Sequence, residues 1–404
     1  MQTIIDFTNC KIDTSANYGG SDKKRGIIYG DSRYMLKLSD IIPDEKRTEL
    51  NSSYSNSVFS ECISCRILKS MGFDVQETLL GTLTMPRRNL AHAAMGEKTY
   101  PAVACKNFVP EGYELVEFKF IEGVVLDIKP PKIPRIEDIY QVFTQKNEYF
   151  SEDFGRESLK RYWDTFIADA LLGNFDRHAN NWGYLVSKET GEICLAPVYD
   201  CGSCLYPQIS DEAIPKILKS REEIQMRIDK FPTAALELED GKKASYKQYI
   251  SFFSNLDCTK ALCRIAPRID MDKICRIVDD TPGISDIRKQ FYKTMLNERY
   301  QQVIMEPYLQ YCREHIGQCK RGEEQPKKKS GAGRVFGQSS KESLIGRAKR
   351  AAEPEQALCS GEEDARDIIN ACANDGLGMG EDDFKKAVDE IPEVLDKGIN
   401  RDRL

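Results

Sequence analysis

The chain has 404 residues, of which 41% are hydrophobic and 30% charged, and its formal net charge is −6 at pH 7. This length allows a sizeable core and more than one lobe, whereas the negative charge disfavours nucleic acid as the main partner. No apolar run approaches the ~18 residues of a membrane span, and polar residues such as Asp6 and Lys11 interrupt the N-terminal stretch. Fourteen cysteines without a disulfide-framework spacing indicate reduced thiols. We therefore expect a cytoplasmic protein, or one secreted as an effector.

The first predicted feature is a small glycine-bearing loop between two short strands. It is formed by Tyr18, Gly19, Gly20, Ser21, Asp22 and Lys23. Backbone N–H groups of such a loop can approach phosphates closely, and lysine side chains add positive charge. The alternative interpretation is a surface hairpin loop with solvated lysines.

A lysine in a strand and a glutamate in a helix form the next candidate pair. A turn at residues 30–33 precedes a strand over residues 34–38, where Lys37 interrupts an apolar run. A buried lysine needs a partner, although a lysine at the rim can extend its amine to solvent. Glu61, on a helix predicted from residue 57 to residue 70, is the candidate partner. Kinases use such a pair to hold nucleotide phosphates; a solvated helix-face glutamate is the alternative.

The most informative stretch follows a helix predicted over residues 157–172, which Gly173 ends. It reads Asp-Arg-His-Ala-Asn-Asn over residues 176–181, and a strand predicted over 193–199 then ends in Asp200. Phosphoryl transfer needs one carboxylate for the acceptor hydroxyl, and an amide oxygen with a second carboxylate for magnesium. Asp176, Asn181 and Asp200 would supply these groups. An Asp/Asn-rich turn is the alternative, and the second Asp makes it less favoured.

Two Cys-x-x-Cys pairs are present, Cys62/Cys65 and Cys201/Cys204. The first pair is interpreted as two core thiols on one helix. A zinc site joining the pairs requires convergence of that helix with the segment after Asp200. A redox switch beside Asp200 is a further, less favoured interpretation of the second pair, because no thioredoxin-like strand-to-helix context is evident.

Helical periodicity continues over residues 211–230, 244–256, 258–280 and 284–316, which predicts a helix-rich second lobe. Residues 320–350 read as a flexible linker. Residues 353–404 are acidic and form either a small helical appendage or a disordered segment.

Together, the Gly19–Ser21 loop, Lys37, Glu61, the Asp176–Asn181 motif and the 196–200 segment resemble the HipA-like serine/threonine protein kinase family, most closely its short stand-alone members of the CtkA type. The similarity spans roughly residues 15–315. It implies an α+β, bilobed protein-kinase-like fold with a small β-rich N-lobe, a helix-rich C-lobe and a C-terminal tail. The expected boundaries are 1–110, 111–318 and 319–404.

The resemblance also implies roles for individual residues. Asp176 is the expected catalytic base, Asn181 and Asp200 bind Mg²⁺, and Lys37, supported by Glu61, holds the phosphates of ATP. The adenine-binding hinge falls at residues 103–108, which makes Ala104, Cys105 and Lys106 candidate nucleotide contacts. His178 is expected to order the catalytic loop beside the nucleotide. The family phosphorylates itself near the glycine-rich loop, which points to Ser15 or Ser21.

Two departures from the longer HipA toxins bear on partners. The longer toxins carry an N-terminal subdomain that contributes to antitoxin contacts, whereas only 18 residues precede Gly19 here. Pairing with an antitoxin or regulatory protein is therefore expected only if a separate protein supplies that subdomain. The tail after residue 320 has no counterpart in the family. The expected acceptor is a protein hydroxyl, with translation machinery as one candidate class. A catalytically weak kinase-fold binding module, and a lipid or small-molecule kinase, are the alternatives.

Overall fold

The computed structural model describes residues 3–14, 24–39, 56–88, 94–145, 147 and 149–322. The chain divides into two units, Met1–Leu309 and Gln310–Leu404. The described part of the second unit is the C-terminal portion of one helix. The predicted glycine-rich loop residues, Ser15 and the acidic tail lie outside the described residues.

The N-terminal part is built on a six-stranded sheet in the order β1-β5-β6-β4-β3-β2, in which only the β1–β5 pair is parallel. Period-2 alternation along β4 places Tyr34 and Leu36 in the core of one face and Lys37 on the other. The strands are β1 Ile5–Asp6, β2 Lys11–Ile12, β3 Lys24–Tyr29, β4 Ser32–Leu38, β5 Thr78–Arg88 and β6 Ala94–Lys106.

Helix α1, Ser57–Ser70, packs against this sheet and has the bounds predicted from the sequence. Ten of its residues are buried, and Glu61 is among them with 1% of its surface exposed. A helix covered this completely has no solvated face at Glu61. The alternative interpretation of Glu61 as a surface residue is therefore wrong.

A second, antiparallel sheet in the order β7-β8-β9 follows, with three helices beside it. Helix α4 starts five residues earlier than predicted because the Ser151 hydroxyl caps it by accepting the Phe154 N–H at 3.2 Å. It ends at Gly173, whose φ of +65° is the left-handed conformation expected there. The predicted strand at 193–199 is shorter, because Pro197 has no N–H for a ladder. The elements are β7 Tyr113–Glu117, α2 Phe118–Leu126, α3 Ile136–Thr144, α4 Glu152–Leu172, β8 Gly183–Ser187 and β9 Ile193–Leu195.

Seven α-helices follow in the described chain after β9: α5 Ile214–Lys219, α6 Arg221–Asp229, α7 Tyr246–Ser251, α8 Leu256–Ile265, α9 Met271–Asp279, α10 Asp286–Arg299 and α11 Glu306–Gly322. A 3-10 turn containing Pro267 separates α8 from α9, and a π-helical segment, Tyr300–Met305, precedes Pro307. The predicted fold class, strand-rich at the N-terminal side and helix-rich beyond, is confirmed. None of the helices that the structure describes is both long and apolar enough to cross a membrane.

Candidate active site

Lys37 joins two acidic side chains that are distant in the sequence. Its Nζ lies 2.8 Å from Glu61 Oε2 and 2.9 Å from Asp200 Oδ1, across 24 and 163 residues of chain. Burial acts to lower the pKa of Lys37, but the two carboxylates outweigh it and raise the pKa well above its ordinary value. The amine therefore stays charged, in position to meet an anionic ligand.

Glu61 is held from its other side by the segment that follows Asp200. The Cys201 N–H donates to Glu61 Oε1 at 2.9 Å, so both carboxylate oxygens have a partner. Gly202 passes so close that a Cβ atom there would lie 3.1 Å from Glu61 Oε2. Burial raises the pKa of Glu61 despite the attraction of Lys37. These contacts fix the orientation of the Glu61 carboxylate and therefore the position in which it holds the Lys37 amine.

Asp200 follows a short parallel bridge between Val75 and Val198, in which Gln76 N–H donates to the Val198 carbonyl at 2.9 Å. Its φ of +57° turns the chain sharply, a conformation that Asp tolerates better than most residues. Burial acts to raise the pKa of Asp200, but Lys37 outweighs it and lowers the pKa to about 2. Asp200 is thus an anion whose carboxylate remains one third exposed.

Asp176 projects from the loop after α4 and is 39% exposed. Its N–H donates to Asn174 Oδ1 at 3.1 Å, and its carbonyl accepts the Asn181 side-chain amide at 2.7 Å. Lys132 Nζ approaches its Oδ1 at 4.0 Å. The loop thus holds the Asp176 backbone while leaving its carboxylate partly exposed.

Arg177 fastens the 176–181 loop to the chain leading into Asp200. Its buried guanidinium pairs with Asp169, 2.9 Å from Nε to Oδ2, and donates to the carbonyls of Asn181 and Tyr199. It also lies 3.4 Å from Cys201 Sγ. These contacts couple the positions of Asn181 and Asp200.

The contacts of the His178 side chain are to other residues of the 176–181 loop. Its Nδ1 accepts the Asn180 N–H at 3.2 Å, and its Nε2 is 3.7 Å from Asp176 Oδ1. Burial lowers the pKa of His178, against the opposing attraction of Asp176. A neutral imidazole that orders the loop is consistent with these contacts.

The three predicted hinge residues lie at the end of β6. The Ala104 side chain belongs to the sheet core, and Cys105 is fully buried on the strand. Lys106 forms an exposed ion pair with Glu77 at 3.0 Å, while its N–H and carbonyl bond to Glu77 and Gln76. The chain beyond them carries Phe108, which stacks on Tyr199 at 5.5 Å between ring centroids.

The two Cys-x-x-Cys segments converge. Cys65 Sγ, Cys201 Sγ and a Glu61 oxygen all lie within 4.8 Å of one another. Cys62 is fully buried on α1, as a core thiol is expected to be. The convergence that the zinc interpretation requires is therefore present, although Glu61 is already bonded through both oxygens.

Of the predicted site residues, the structure brings Lys37, Glu61 and Asp200 into direct contact and groups Asp176, His178 and Asn181 on one loop. The positions predicted in the glycine-rich loop, Tyr18, Gly19, Gly20, Ser21, Asp22 and Lys23, lie outside the described residues. Sequence reasoning missed Asp169 and Asn174, which support Arg177 and Asp176. The signal for Asp169 was a carboxylate within an otherwise apolar helix stripe, which must be paired if buried.

The sequence of this chain is similar to those of known proteins. Residues 115–281 match the model of the HipA-like C-terminal domain family. The chain is 40% identical over 303 residues to the serine/threonine-protein kinase CtkA of Helicobacter pylori, covering 74% of this chain and 86% of that protein.

Two solved structures extend the comparison. The crystal structure of the H. pylori proinflammatory kinase CtkA matches with a TM-score of 0.67 and 37% identity, over 76% of this chain and 97% of that one. The HipA–HipB–operator DNA complex of Shewanella oneidensis matches with 14% identity over 73% of this chain and 68% of that one. Its TM-score is 0.43, which is too low to support an inference.

Proposed function

Because this chain belongs to the HipA-like serine/threonine protein kinase family, we propose that it transfers the γ-phosphate of ATP, with Mg²⁺, to a serine or threonine hydroxyl of a protein. The single observation that carries the proposal is Lys37 held between Glu61 and Asp200 at 2.8 and 2.9 Å. This pairing places one fixed cation beside one accessible anion, which is what binding of a metal–nucleotide complex requires.

The residues present suit a magnesium ion. Asn181 uses its side-chain NH₂ on the Asp176 carbonyl, which leaves its amide oxygen as the coordinating atom. Asp200 uses Oδ1 on Lys37 and retains Oδ2. One amide oxygen and one carboxylate form an oxygen ligand set of the kind that Mg²⁺ prefers, and the ion would neutralise phosphate charge there.

Asp176 is the proposed general base. As the hydroxyl oxygen of the acceptor bonds to the γ-phosphorus, the Asp176 carboxylate accepts its proton, and ADP leaves when the bridging P–O bond breaks. Lys37 holds the phosphates in line through its charge. Arg177 acts through other groups, because it keeps the loop of Asp176 and Asn181 in register with Asp200.

The adenine is proposed to lie against the chain after β6. The N–H and carbonyl of Lys106 and the N–H groups of Asn107 and Val109 are bonded within the protein. A main-chain contact to adenine would therefore use the Asn107 carbonyl, Phe108 or the chain beyond. Of the predicted nucleotide contacts, Cys105 lies on the sheet face of Lys37 and would line the site. The Ala104 side chain packs into the core on the opposite face.

Labelling decides the reaction class. Purified protein, γ-labelled ATP and Mg²⁺ are incubated with a protein lysate, and labelled species are identified by mass spectrometry, with Asp176→Asn as the inactive control. We expect phosphoserine or phosphothreonine that depends on Asp176. Label found only in lipid or a small molecule would overturn the proposal, as would equal labelling by the control.

Self-phosphorylation is a second part of the proposal, carried by family membership. A phosphate on Ser15 or Ser21 adds about −1.5 to −2 charge beside the predicted phosphate-binding loop, and its repulsion should oppose ATP binding. Mass spectrometry of the active protein and of Asp176→Asn, each after incubation with ATP, tests it. An active protein that stays unmodified at both serines contradicts it.

A further inference from the structure

Three buried cysteines, Cys65, Cys201 and Cys204, form a thiol cluster around the segment that follows Asp200. The Cys65 and Cys201 sulfurs lie within 4.8 Å of each other, and the Cys204 N–H donates to the Cys201 carbonyl at 3.2 Å. All three side chains are at most 2% exposed. The cluster thus joins helix α1 to the segment that follows Asp200.

Cys201 occupies a connecting position in the proposed active site. Its N–H donates to Glu61 Oε1 at 2.9 Å, and its Sγ lies 3.4 Å from the Arg177 guanidinium. It is also the residue directly after Asp200. A covalent change at Cys201 would therefore affect three proposed site groups at once. These are Glu61, which holds Lys37, then Arg177, which holds the 176–181 loop, and the proposed metal ligand Asp200.

A structural metal ion is a poor occupant of this cluster. Both Glu61 oxygens are committed, one to Lys37 and one to the Cys201 N–H. The positive charge of Arg177 also lies against Cys201 Sγ, where a cation would have to bind. The thiols themselves, rather than a metal they hold, are then the chemically active groups.

Geometry selects Cys204 as the disulfide partner of Cys201. The two residues are the first and last of a tight turn in which the Cys204 N–H donates to the Cys201 carbonyl at 3.2 Å. Such a turn keeps its end Cα atoms within about 7 Å, and a disulfide requires about 4.4–6.8 Å. Cys65 lies on α1, so a bridge to it would pull on the helix that carries Glu61.

The chain on either side of this turn is held in an uncommon conformation. Asp200, Leu205 and Tyr206 all have positive φ angles, between 55° and 57°. Non-glycine residues remain in this region only where their surroundings hold them, so a change in those surroundings releases the constraint. A bond that shortens the turn can therefore shift Asp200.

We propose that Cys201 and Cys204 form a reversible disulfide, generated by a hydroperoxide, that switches the kinase off. The inference rests on the proposed kinase function. The hydroperoxide transfers one oxygen to a cysteine sulfur, which gives a sulfenic acid and an alcohol, or water from hydrogen peroxide. The sulfur of the second cysteine then attacks the first, an S–S bond forms and water leaves. The two thiols lose two electrons and two protons, and a dithiol reductant restores them.

Loss of activity follows from the shorter sulfur–sulfur distance. A disulfide holds its sulfurs about 2.05 Å apart, closer than the sulfurs of two unbonded thiols can approach. Cys201 Sγ would leave Arg177, and Asp200 would move with its neighbour. A misplacement of about 1 Å costs about 10²-fold in rate, so we expect about a 10²-fold lower kcat in the oxidised protein.

The test uses the full chain treated with hydrogen peroxide, followed by alkylation, peptide mapping and assay of phosphate transfer. We expect a Cys201–Cys204 peptide link, inactivation, and recovery with dithiothreitol. Cys204→Ala should be active and resist reversible inactivation. Cys258→Ala removes a buried thiol on α8, outside the cluster, and should remain sensitive. If Cys204→Ala does not fold, Cys204→Ser replaces it, and the map of the unsubstituted protein still decides the pairing.

The inference is overturned if the peptide map lacks a Cys201–Cys204 link or shows a Cys65–Cys201 link instead. It is also overturned if the protein that carries the Cys201–Cys204 link keeps full activity. Reversible inactivation of Cys204→Ala would also overturn it. The same mapping on Asp176→Asn separates the two proposals, because that variant should form the disulfide whether or not the protein is a kinase.

Discussion

At the residue scale, the candidate site depends on carboxylates whose surroundings give them different charge behaviour. Asp200 is kept ionised by Lys37, with its pKa lowered to about 2. A carboxyl with a lowered pKa stabilises the fold above its ordinary pKa and loses that contribution as pH falls through the folded value. The Lys37–Asp200 contact should therefore persist through neutral pH and fail only in strong acid, between about pH 4 and about pH 2.

The first prediction distinguishes the proposed general base, Asp176, from the proposed metal ligand, Asp200. Asp176→Asn should lower phosphate transfer by about 10²–10⁴-fold, the usual contribution of a general base, with little change in Mg²⁺–ATP affinity. Asp200→Ala should lower both, because it removes a ligand and a partner of Lys37. Calorimetric titration and a transfer assay measure the two effects. Asp240→Asn, in a turn near residue 241, is the matched control. Near-wild-type activity of Asp176→Asn would rule out its role.

Glu122 on α2 behaves in the opposite way to Asp200. It is fully buried, and neither carboxylate oxygen has a hydrogen-bond partner among the described residues. Burial, followed by the nearby charge of Asp138, raises its pKa to about 7, although Arg135 and Lys119 oppose the shift. The group is neutral in the folded protein below that pH, and ionising it above costs stability.

The second prediction is a pH dependence. A raised pKa gives stability that is present below about 4.5 and lost as pH rises through about 7. The free energy of unfolding should fall by about 2 kcal/mol between about pH 5.5 and about pH 8 from this group, at about 1.4 kcal/mol per pKa unit. Glu122→Gln should lack that fall, and the exposed control Glu111→Gln should retain it. The free energy of unfolding is measured by urea unfolding at both pH values. An equal fall between the two pH values in both variants would contradict the assignment of the raised pKa to Glu122.

At the scale of elements, Arg177 joins α4 to the 176–181 loop and to the segment that follows β9. Asp169 on α4 receives two of its hydrogen bonds, at 2.9 and 3.2 Å, and the others reach Asn181, Tyr199 and Cys201. Asn174 adds a bond to Asp169 at 2.9 Å. A buried pair with this many satisfied groups specifies one arrangement of the loop.

The third prediction tests this brace. Arg177→Met leaves Asp169 buried without its cation, which should cost about 3–5 kcal/mol of unfolding free energy. Adding Asp169→Leu should recover much of that stability but not the activity, because the links to Asn181 and Tyr199 stay absent. Arg156→Met, in an exposed pair with Glu152, is the control and should cost at most about 1 kcal/mol. Thermal unfolding and the transfer assay report the two quantities. Activity restored in the double variant would show that Arg177 does not position the loop.

At the scale of the whole molecule, the described residues of the candidate site all lie within Met1–Leu309. The buried side chains of that unit include Phe291 and Tyr292 on α10, both fully enclosed. The unit therefore needs its chain at least through α10 to close its core.

The fourth prediction concerns truncation. A chain ending at residue 322 should fold and transfer phosphate at a rate within about threefold of the full chain, since every described site residue lies upstream. A chain ending at residue 290 should not fold, because it loses Phe291 and Tyr292. Circular dichroism and the transfer assay distinguish them. Failure of the longer truncation to fold would show that residues beyond 322 contribute to the core.

The sequence by itself determined the local features. The bounds of α1, the end of α4 at Gly173 and the turn at Gly30 follow from periodicity, left-handed glycine positions and turn residues, which act within a few residues of chain. The chemistry of the 176–181 loop and Asp200 was also legible, because phosphoryl transfer needs those groups in that order.

Only the tertiary structure decided which of these groups meet. Glu61 was predicted as the partner of Lys37, but the contact of Lys37 with Asp200, the pairing of Arg177 with Asp169 and the convergence of Cys65 with Cys201 were not. These contacts join segments that are separate in the chain. Nothing in local propensity encodes such contacts, because they arise when buried charges and thiols find partners as the sheet, α1 and α4 pack together.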